Sequence, residues 1–302
     1  MIYVTGDTHG YTDFYKLRMF ANAHPWLTRD DYVIVAGDFG GVFDPFTLDE
    51  DLALYERLPF TVLFVDGNHE NFDLLERLFP VIEWKGGKAQ KVRENIYHLM
   101  RGQVYEIQGK TIFTFGGGTS VDRARRVEGL SWWSQELPTY EQQEEGIKNL
   151  ARYGNKVDYV ITHSIDERAL YYPVLRNVLS TAKAKVYFDN QILNWFEDNV
   201  DYGHWYFGHY HVDGKVTEKK TALYSDILPL TKQPPQVCVY SLKMVDKDAS
   251  LIAAKEWLKT AEGATMKVSE DRLIILTDDG VDVSALFSAL VGKAKACSVT
   301  AL

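Results

Sequence analysis

The chain predicts an α/β fold, with helices laid on sheet, and three observations carry that prediction. Short, wholly apolar runs end in glycine or polar residues. Between them lie segments whose apolar residues recur at helical spacing. The composition is that of an ordinary globular protein, 46% hydrophobic and 25% charged over 302 residues, which excludes disordered, collagen-like and coiled-coil chains.

The elements follow in order. Ile2–Thr5 reads as a short strand, and Phe14, Leu17, Phe20 and Ala21 give a helical stripe over Phe14–Ala23. Tyr32–Ala36 (YVIVA) is a buried strand before Gly37, and Leu48–Leu58 is a helix whose first turn holds Asp49, Glu50 and Asp51, where carboxylates suit the dipole. Thr61–Val65 (TVLFV) is a third strand, followed by a helix capped by Asn71 and closed before Pro80. From Lys91 to Phe115 the pattern becomes successive strands, with turns at Arg93–Asn95 and Gln108–Lys110. Thr139 and Gln142 form a capping box for a helix to about Arg152. Asp158–Thr162, His204–Phe207, Ala222–Tyr224 and Val237–Leu242 read as strands, and Gln191–Phe196 as a helix. Composition shifts after Met244, so residues 1–244 are expected to form the main domain and 245–302 a small α/β extension. That extension has a helix at Ala249–Lys259, a strand at Arg272–Thr277, a turn at Asp278–Gly280 and an amphipathic helix over Val281–Ala294.

Charge and cysteine content narrow the function. A net charge of −9 disfavours sequence-independent binding of long nucleic acid, which needs a basic surface, but leaves room for a phosphate-bearing substrate if a metal supplies positive charge. Two cysteines, Cys238 and Cys297, give no disulfide framework and suit a reducing compartment. The opening MIYVTGDTHG lacks a basic start and a long apolar core, and no apolar run is long enough to span a bilayer, so a cytoplasmic protein without a membrane partner is expected.

Five segments carry the chemistry: Gly6-Asp7-Thr8-His9-Gly10, Gly37-Asp38, Gly67-Asn68-His69-Glu70, Thr162-His163 and Gly208-His209-Tyr210-His211. Each falls where a strand ends, the place where open α/β sheets build their sites. They hold five of the eight histidines. Carboxylate with imidazole and no thiolate suits manganese, iron or zinc. Asp7 and His9, like His209 and His211, are two residues apart, which in extended backbone points both to one side. The glycines before Asp7, Asp38, Asn68 and His209 permit close backbone approach.

In these motifs the sequence resembles the calcineurin-like metallophosphoesterase superfamily, over roughly Met1 to Leu242. The resemblance implies a two-sheet α/β sandwich holding two divalent ions, with manganese expected and iron, zinc or nickel as alternatives. It implies that Asp7, His9, Asp38 and His211 bind one ion, that Asp38, Asn68, His163 and His209 bind the other, and that His69 is the general acid. Two ions about 3.5–4 Å apart can bring a water's pKa toward neutrality and clamp both oxygens of an in-line displacement at phosphorus. A phosphoesterase acting on a small phosphorylated metabolite or a nucleotide is therefore expected. Phosphodiester or nuclease activity and Ser/Thr protein phosphatase activity remain alternatives. A catalytically inactive scaffold would be expected to have lost ligands, and all are present.

The spelling is also similar to Ser/Thr phosphoprotein phosphatases, but it departs from them at two places. Gly41 and Val42 stand where that class has an Asp and an Arg, and Asp66 stands where it has an Arg. Two phosphate-binding arginines are therefore missing. Gly116–Trp133 is a long Gly-rich segment with Arg123, Arg125, Arg126, Trp132 and Trp133. Arg123 is the first candidate there to grip phosphate, with a Trp against the substrate's organic part. His24, His98 and His204 lie outside the motifs and read as surface or packed residues. Asp278, Asp279 and Asp282 read as a turn, not a calcium loop, and Cys238 as a buried strand residue.

Overall fold

The computed structural model of the chain describes residues 1–179, 186–230, 238–278 and 281–301. The chain divides into two compact units, Met1–Phe20 with Asp31–Leu230, and Ala21–Asp30 with Thr231–Leu302.

The first unit contains a seven-stranded and a six-stranded sheet. In the first sheet Ile2–Thr5, Tyr32–Ala36, Thr61–Val65 and Ile96–Leu99 run parallel in that order. These strands are nearly continuous apolar runs because a parallel sheet is covered on both faces, and almost every residue in them is buried. Gly87–Arg93 and Val81–Trp84 extend one edge antiparallel, and Ile227–Pro229 closes the other. In the second sheet Lys110–Phe115, Lys156–Thr162 and Asp201–Phe207 are parallel. Phe115 lies beside Thr162, and Thr162 beside Phe207, so these strands end level and their loops emerge together.

Alternation along the strands sorts the core. Ile2, Val4, Ile34, Leu63 and Val65 pack with Ile112, Ile161 and Tyr206 between the two sheets. The opposite face of the second sheet, with Phe113, Phe115, Val160, Trp205 and Phe207, packs on Leu150 and Phe196 of the helices Tyr140–Ala151 and Phe188–Asn199. On the first sheet Phe64 stacks on Phe39, which meets Tyr55 of the helix Leu48–Glu56. The two expected caps are formed. Asn71 accepts from Leu74 N at 3.0 Å, and Thr139 and Gln142 exchange bonds of 3.3 and 3.0 Å. The sequence-based expectation of an α/β sandwich of the metallophosphoesterase type is met.

The small unit differs from expectation in two ways. The strand expected to close the main domain, here Cys238–Met244, pairs instead with Arg272–Thr277 and Ala294–Ala301, with Ala264–Ser269 at the far edge. The division expected between residues 244 and 245 therefore lies after Leu230. The helix expected over Val281–Ala294 is Ser284–Leu290, followed by a strand. All three pairings are antiparallel, and with the helix Lys247–Leu258 the order is βαββαβ. Leu242, Leu273, Ile275, Trp257, Leu286 and Leu290 form its core. The burial of Cys238 and the Asp279–Gly280 part of the expected turn lie outside the described residues.

Candidate active site

Loops after five level strands carry the predicted residues into one cluster. Asp7 Oδ2 is 3.1 Å from His211 Nε2 and 4.0 Å from His9 Nε2, and His9 Nε2 is 3.4 Å from Asp38 Oδ2. Donor atoms of Asp7, His9, Asp38 and His211 all lie within 4.8 Å of one another. On the other side of Asp38, Oδ1 is 3.3 Å from His163 Nε2, which is 3.1 Å from both Asn68 Oδ1 and His209 Nδ1.

The loops are not extended as expected. His9, Asp38, His209 and His211 sit at φ of 41°, 44°, 68° and 50°, in the left-handed region. Such backbone costs roughly 1–3 kcal/mol per residue and persists only where surroundings enforce it. The enforcing bonds are present. Thr8 N and His9 N donate to Asp38 O at 3.0 and 2.8 Å, His209 N to Asp7 Oδ1 at 3.0 Å, and His69 N to Asp38 Oδ1 at 2.7 Å. The buried Glu70 carboxylate accepts from Phe39 N at 2.7 Å. Two glycines are required by space. A Cβ at Gly67 would lie 2.1 Å from Asp38 Oδ1, and one at Gly208 would lie 2.2 Å from Asp7 Oδ1.

The ring faces are fixed from behind. His163 Nδ1 donates to Ala36 O at 3.0 Å, which leaves Nε2 facing the cluster. His9 Nδ1 is held by Asp13 Oδ2 at 2.8 Å, and Tyr224 OH donates to the same oxygen at 3.3 Å. Asn68 Nδ2 donates to Ser120 Oγ at 3.2 Å, and that hydroxyl donates to Glu136 Oε2 at 2.7 Å, so the amide turns its oxygen to His163. Below Asp7, the buried ammonium of Lys16 donates to the carbonyls of Gly6 and Asp7 at 3.0 and 2.6 Å.

This donor set fits a cation. With Nδ1 committed to a carbonyl, a neutral His163 would aim a lone pair at two oxygens and a second ring nitrogen. Only a proton or a metal between them relieves that repulsion. Asp7 Oδ2 is likewise buried without a hydrogen-bond partner, although His211 Nε2 is 3.1 Å away. Burial opposes charge on His163, yet Asp38 and Asp7 push it up to about 10. Burial also opposes charge on His9, and Asp38 and Asp7 push it up to about 9. Burial works against the Asp38 carboxylate too, but the neighbouring imidazoles hold it well below the usual range.

Beside the cluster, a cavity of about 410 Å³ is lined by Asp38, Asn68, His69, His209, His211 and Arg126, among others. His69 faces it, with the Arg126 guanidinium against its ring, Nη1 3.3 Å from Nδ1 and Nη2 3.2 Å from Nε2. Burial, and the Arg126 charge beside it, lower the His69 pKa against the pull of Asp38. Arg126 is itself held by Asp122, Nε to Oδ1 2.8 Å. Arg123, the arginine expected here, is exposed, lies over the Trp132 ring at 6.0 Å, and is not among the described lining residues. Trp133 is buried and donates to Asp73 Oδ2 at 2.9 Å, away from the cavity lining.

Asp66 is structural. Arg101 Nε donates to its Oδ2 at 2.8 Å, and His98 Nε2 lies 3.1 Å from Oδ1. Burial opposes ionisation of Asp66, but Arg101 and His98 hold its carboxyl well below the usual range. His98 is thus packed, as expected, and His204 bonds Thr221 Oγ1 at 2.8 Å.

Residues 1–213 match the family model described as calcineurin-like phosphoesterase. Among solved structures, the chain is similar to a phosphopantetheinyl hydrolase from Mycobacterium tuberculosis, at 18% identity and a TM-score of 0.33, covering 74% of this chain and 87% of that one. No curated protein matches. No helix among the described residues is long and apolar enough to cross a membrane. With more than half of its length matching, the chain belongs to the calcineurin-like phosphoesterases and is a metal-dependent phosphoester hydrolase.

Proposed function

We propose that the cluster is a dinuclear centre that hydrolyses a small phosphate ester. The observation that carries this reading is Asp38, whose Oδ2 faces His9 at 3.4 Å and whose Oδ1 faces His163 at 3.3 Å. One carboxylate between two donor groups is the natural bridge for two ions. Asp7, His9, Asp38 and His211 would hold one, and Asp38, Asn68, His163 and His209 the other. Manganese is the expected metal, and iron, zinc and nickel suit the same donors. Bound ions would neutralise phosphate charge and supply a nucleophilic water near neutral pH.

The chain's own residues do the rest. Asp38 Oδ1 takes the His69 backbone N–H at 2.7 Å, which fixes that side chain at the cavity. From there the His69 imidazole would serve as the general acid, giving a proton to the leaving oxygen as the P–O bond breaks. Arg126, not Arg123, is the candidate phosphate ligand, with its guanidinium oriented by Asp122 and by Ser131 O at 3.2 Å. The cavity volume of about 410 Å³ is that of a small-molecule site, which supports a phosphorylated metabolite or nucleotide over long nucleic acid.

The test is hydrolysis of nitrophenyl phosphate and bis(nitrophenyl) phosphate with manganese, using Asp38→Asn as the blank. Monoester turnover lost in the variant is the expected result. Turnover of the diester alone would turn the reading toward phosphodiesters. Turnover of neither ester, in protein that binds no metal, would overturn it.

A further inference from the structure

We propose that the cavity selects phosphate esters whose alcohol part is apolar and uncharged, an alkyl or aryl group, over esters bearing a second phosphate. The inference deepens the phosphoesterase reading and rests on it.

The cavity lining is of two kinds. The donor groups and His69 form one part of it, and Val121, Leu170, Val178, Leu179, Tyr187 and Tyr210 form an apolar part. Leu170 is 3% exposed, while Val121 and Val178 are 64% and 47% exposed. The wall therefore runs from a buried floor to an open apolar rim, and an apolar ligand covering it would gain roughly 25 cal/mol for each Å² removed from water. Tyr210 adds its ring rather than its hydroxyl, because that oxygen is committed to Ser164 Oγ and Asn190 Nδ2, each at 3.2 Å.

The charges argue the same way. Arg126 is the one Lys or Arg among the described lining residues, and Asp122 already pairs with it. Asp122 and Asp189 also line the cavity, and Asp189 is buried, accepting from Thr119 Oγ1 at 2.5 Å. Among the described lining residues a second phosphate would find no further cation and would approach these carboxylates, where like charges repel. Chains of phosphates are normally gripped by several cationic donors.

The experiment is calorimetric titration of the full-length, manganese-loaded protein with methyl-, butyl- and hexylphosphonate, and with hexane-1,6-diphosphonate. Binding is expected to tighten roughly fourfold per added methylene. The diphosphonate is expected to bind at least about tenfold more weakly than hexylphosphonate, since a charge replaces the apolar end. Val178→Asp, at a largely exposed position that the fold tolerates, is expected to flatten the chain-length gradient, with circular dichroism checking the fold. A flat gradient in the native protein, or a diphosphonate that binds more tightly than hexylphosphonate, would overturn the proposal. Nitrophenyl phosphate turnover is read in parallel. Turnover with a flat gradient sinks the apolar wall and spares the hydrolase reading. A gradient without turnover supports the wall and marks nitrophenyl phosphate as a substrate the pocket rejects, and the hydrolase reading falls only if the protein also retains no metal.

Discussion

The two donor groups that share Asp38 are built differently. His163 and its partners Asn68 and Asp38 are buried, and the ring is tied to Ala36 O. The group on the other side is open at His211, while its Asp7 is buried. The His211 side chain is 50% exposed and stacks on Tyr224, and His9 is held by Asp13 at 2.8 Å. One carboxylate thus lies between a buried inner group and an outer one that is open at His211. The difference teaches that ligand identity alone does not set metal retention. Burial and the bonds behind each ring do so as well, and the inner group should hold its ion more tightly.

The largest expected effect separates chemistry from both groups. His69 lies beside the cluster without belonging to either group, so His69→Ala should keep metal content while lowering turnover of an alkyl phosphate by roughly 10²–10⁴-fold. An unchanged rate on such an ester would remove His69 from the mechanism.

Arg126→Ala should lower kcat/KM by roughly 10–100-fold through loss of a charged hydrogen bond to phosphate. Arg123→Ala should change neither kcat nor KM. Steady-state kinetics of the pair would assign the arginine, and the opposite result would restore Arg123.

Asp13→Asn tests the asymmetry itself. It should weaken metal binding at the outer group by roughly 10–100-fold and leave the inner group unchanged. Competitive titration with a chelator reads both, and equal losses would break the distinction.

The remaining effect is a slope with pH. In the metal-free protein His163 and His9 are pushed up to about 10 and about 9, so both rings carry protons at neutral pH. A metal must displace those protons, and their hold weakens as pH rises. Affinity at each group should therefore increase about tenfold per unit between pH 6 and 8. A flat or falling affinity would contradict the protonation assigned to these rings.

Legibility in the sequence followed burial. Ile2–Thr5, Tyr32–Ala36 and Thr61–Val65 are readable to the residue because a strand covered on both faces admits only apolar side chains. The edge strands Val81–Trp84 and Gly214–Thr217 hold exposed and partly buried residues, with Val216 alone buried, and carry no such run. Cys238–Met244 reads as a strand, but the sheet it joins depends on partners more than 25 residues away. The site was legible as residue types after strand ends. Its geometry was not, because left-handed backbone at His9, Asp38 and His209 is imposed by bonds between loops. Arg126 escaped for a local reason. Arg123–Arg125 form a short 3₁₀ turn, and Arg126, the extended residue just after it, is the one that meets His69. The link from Asn68 through Ser120 to Glu136 leaves no spacing that a sequence could reveal.

The central claim, that Asp38 joins two donor groups into one dinuclear centre, is tested most directly by counting metal. The purified protein and its Asp38→Asn variant would be loaded with manganese, desalted and analysed by plasma mass spectrometry against protein concentration. The account predicts two ions per chain in the native protein and fewer in the variant. One ion or none in the native protein, or two retained in the variant, would contradict it.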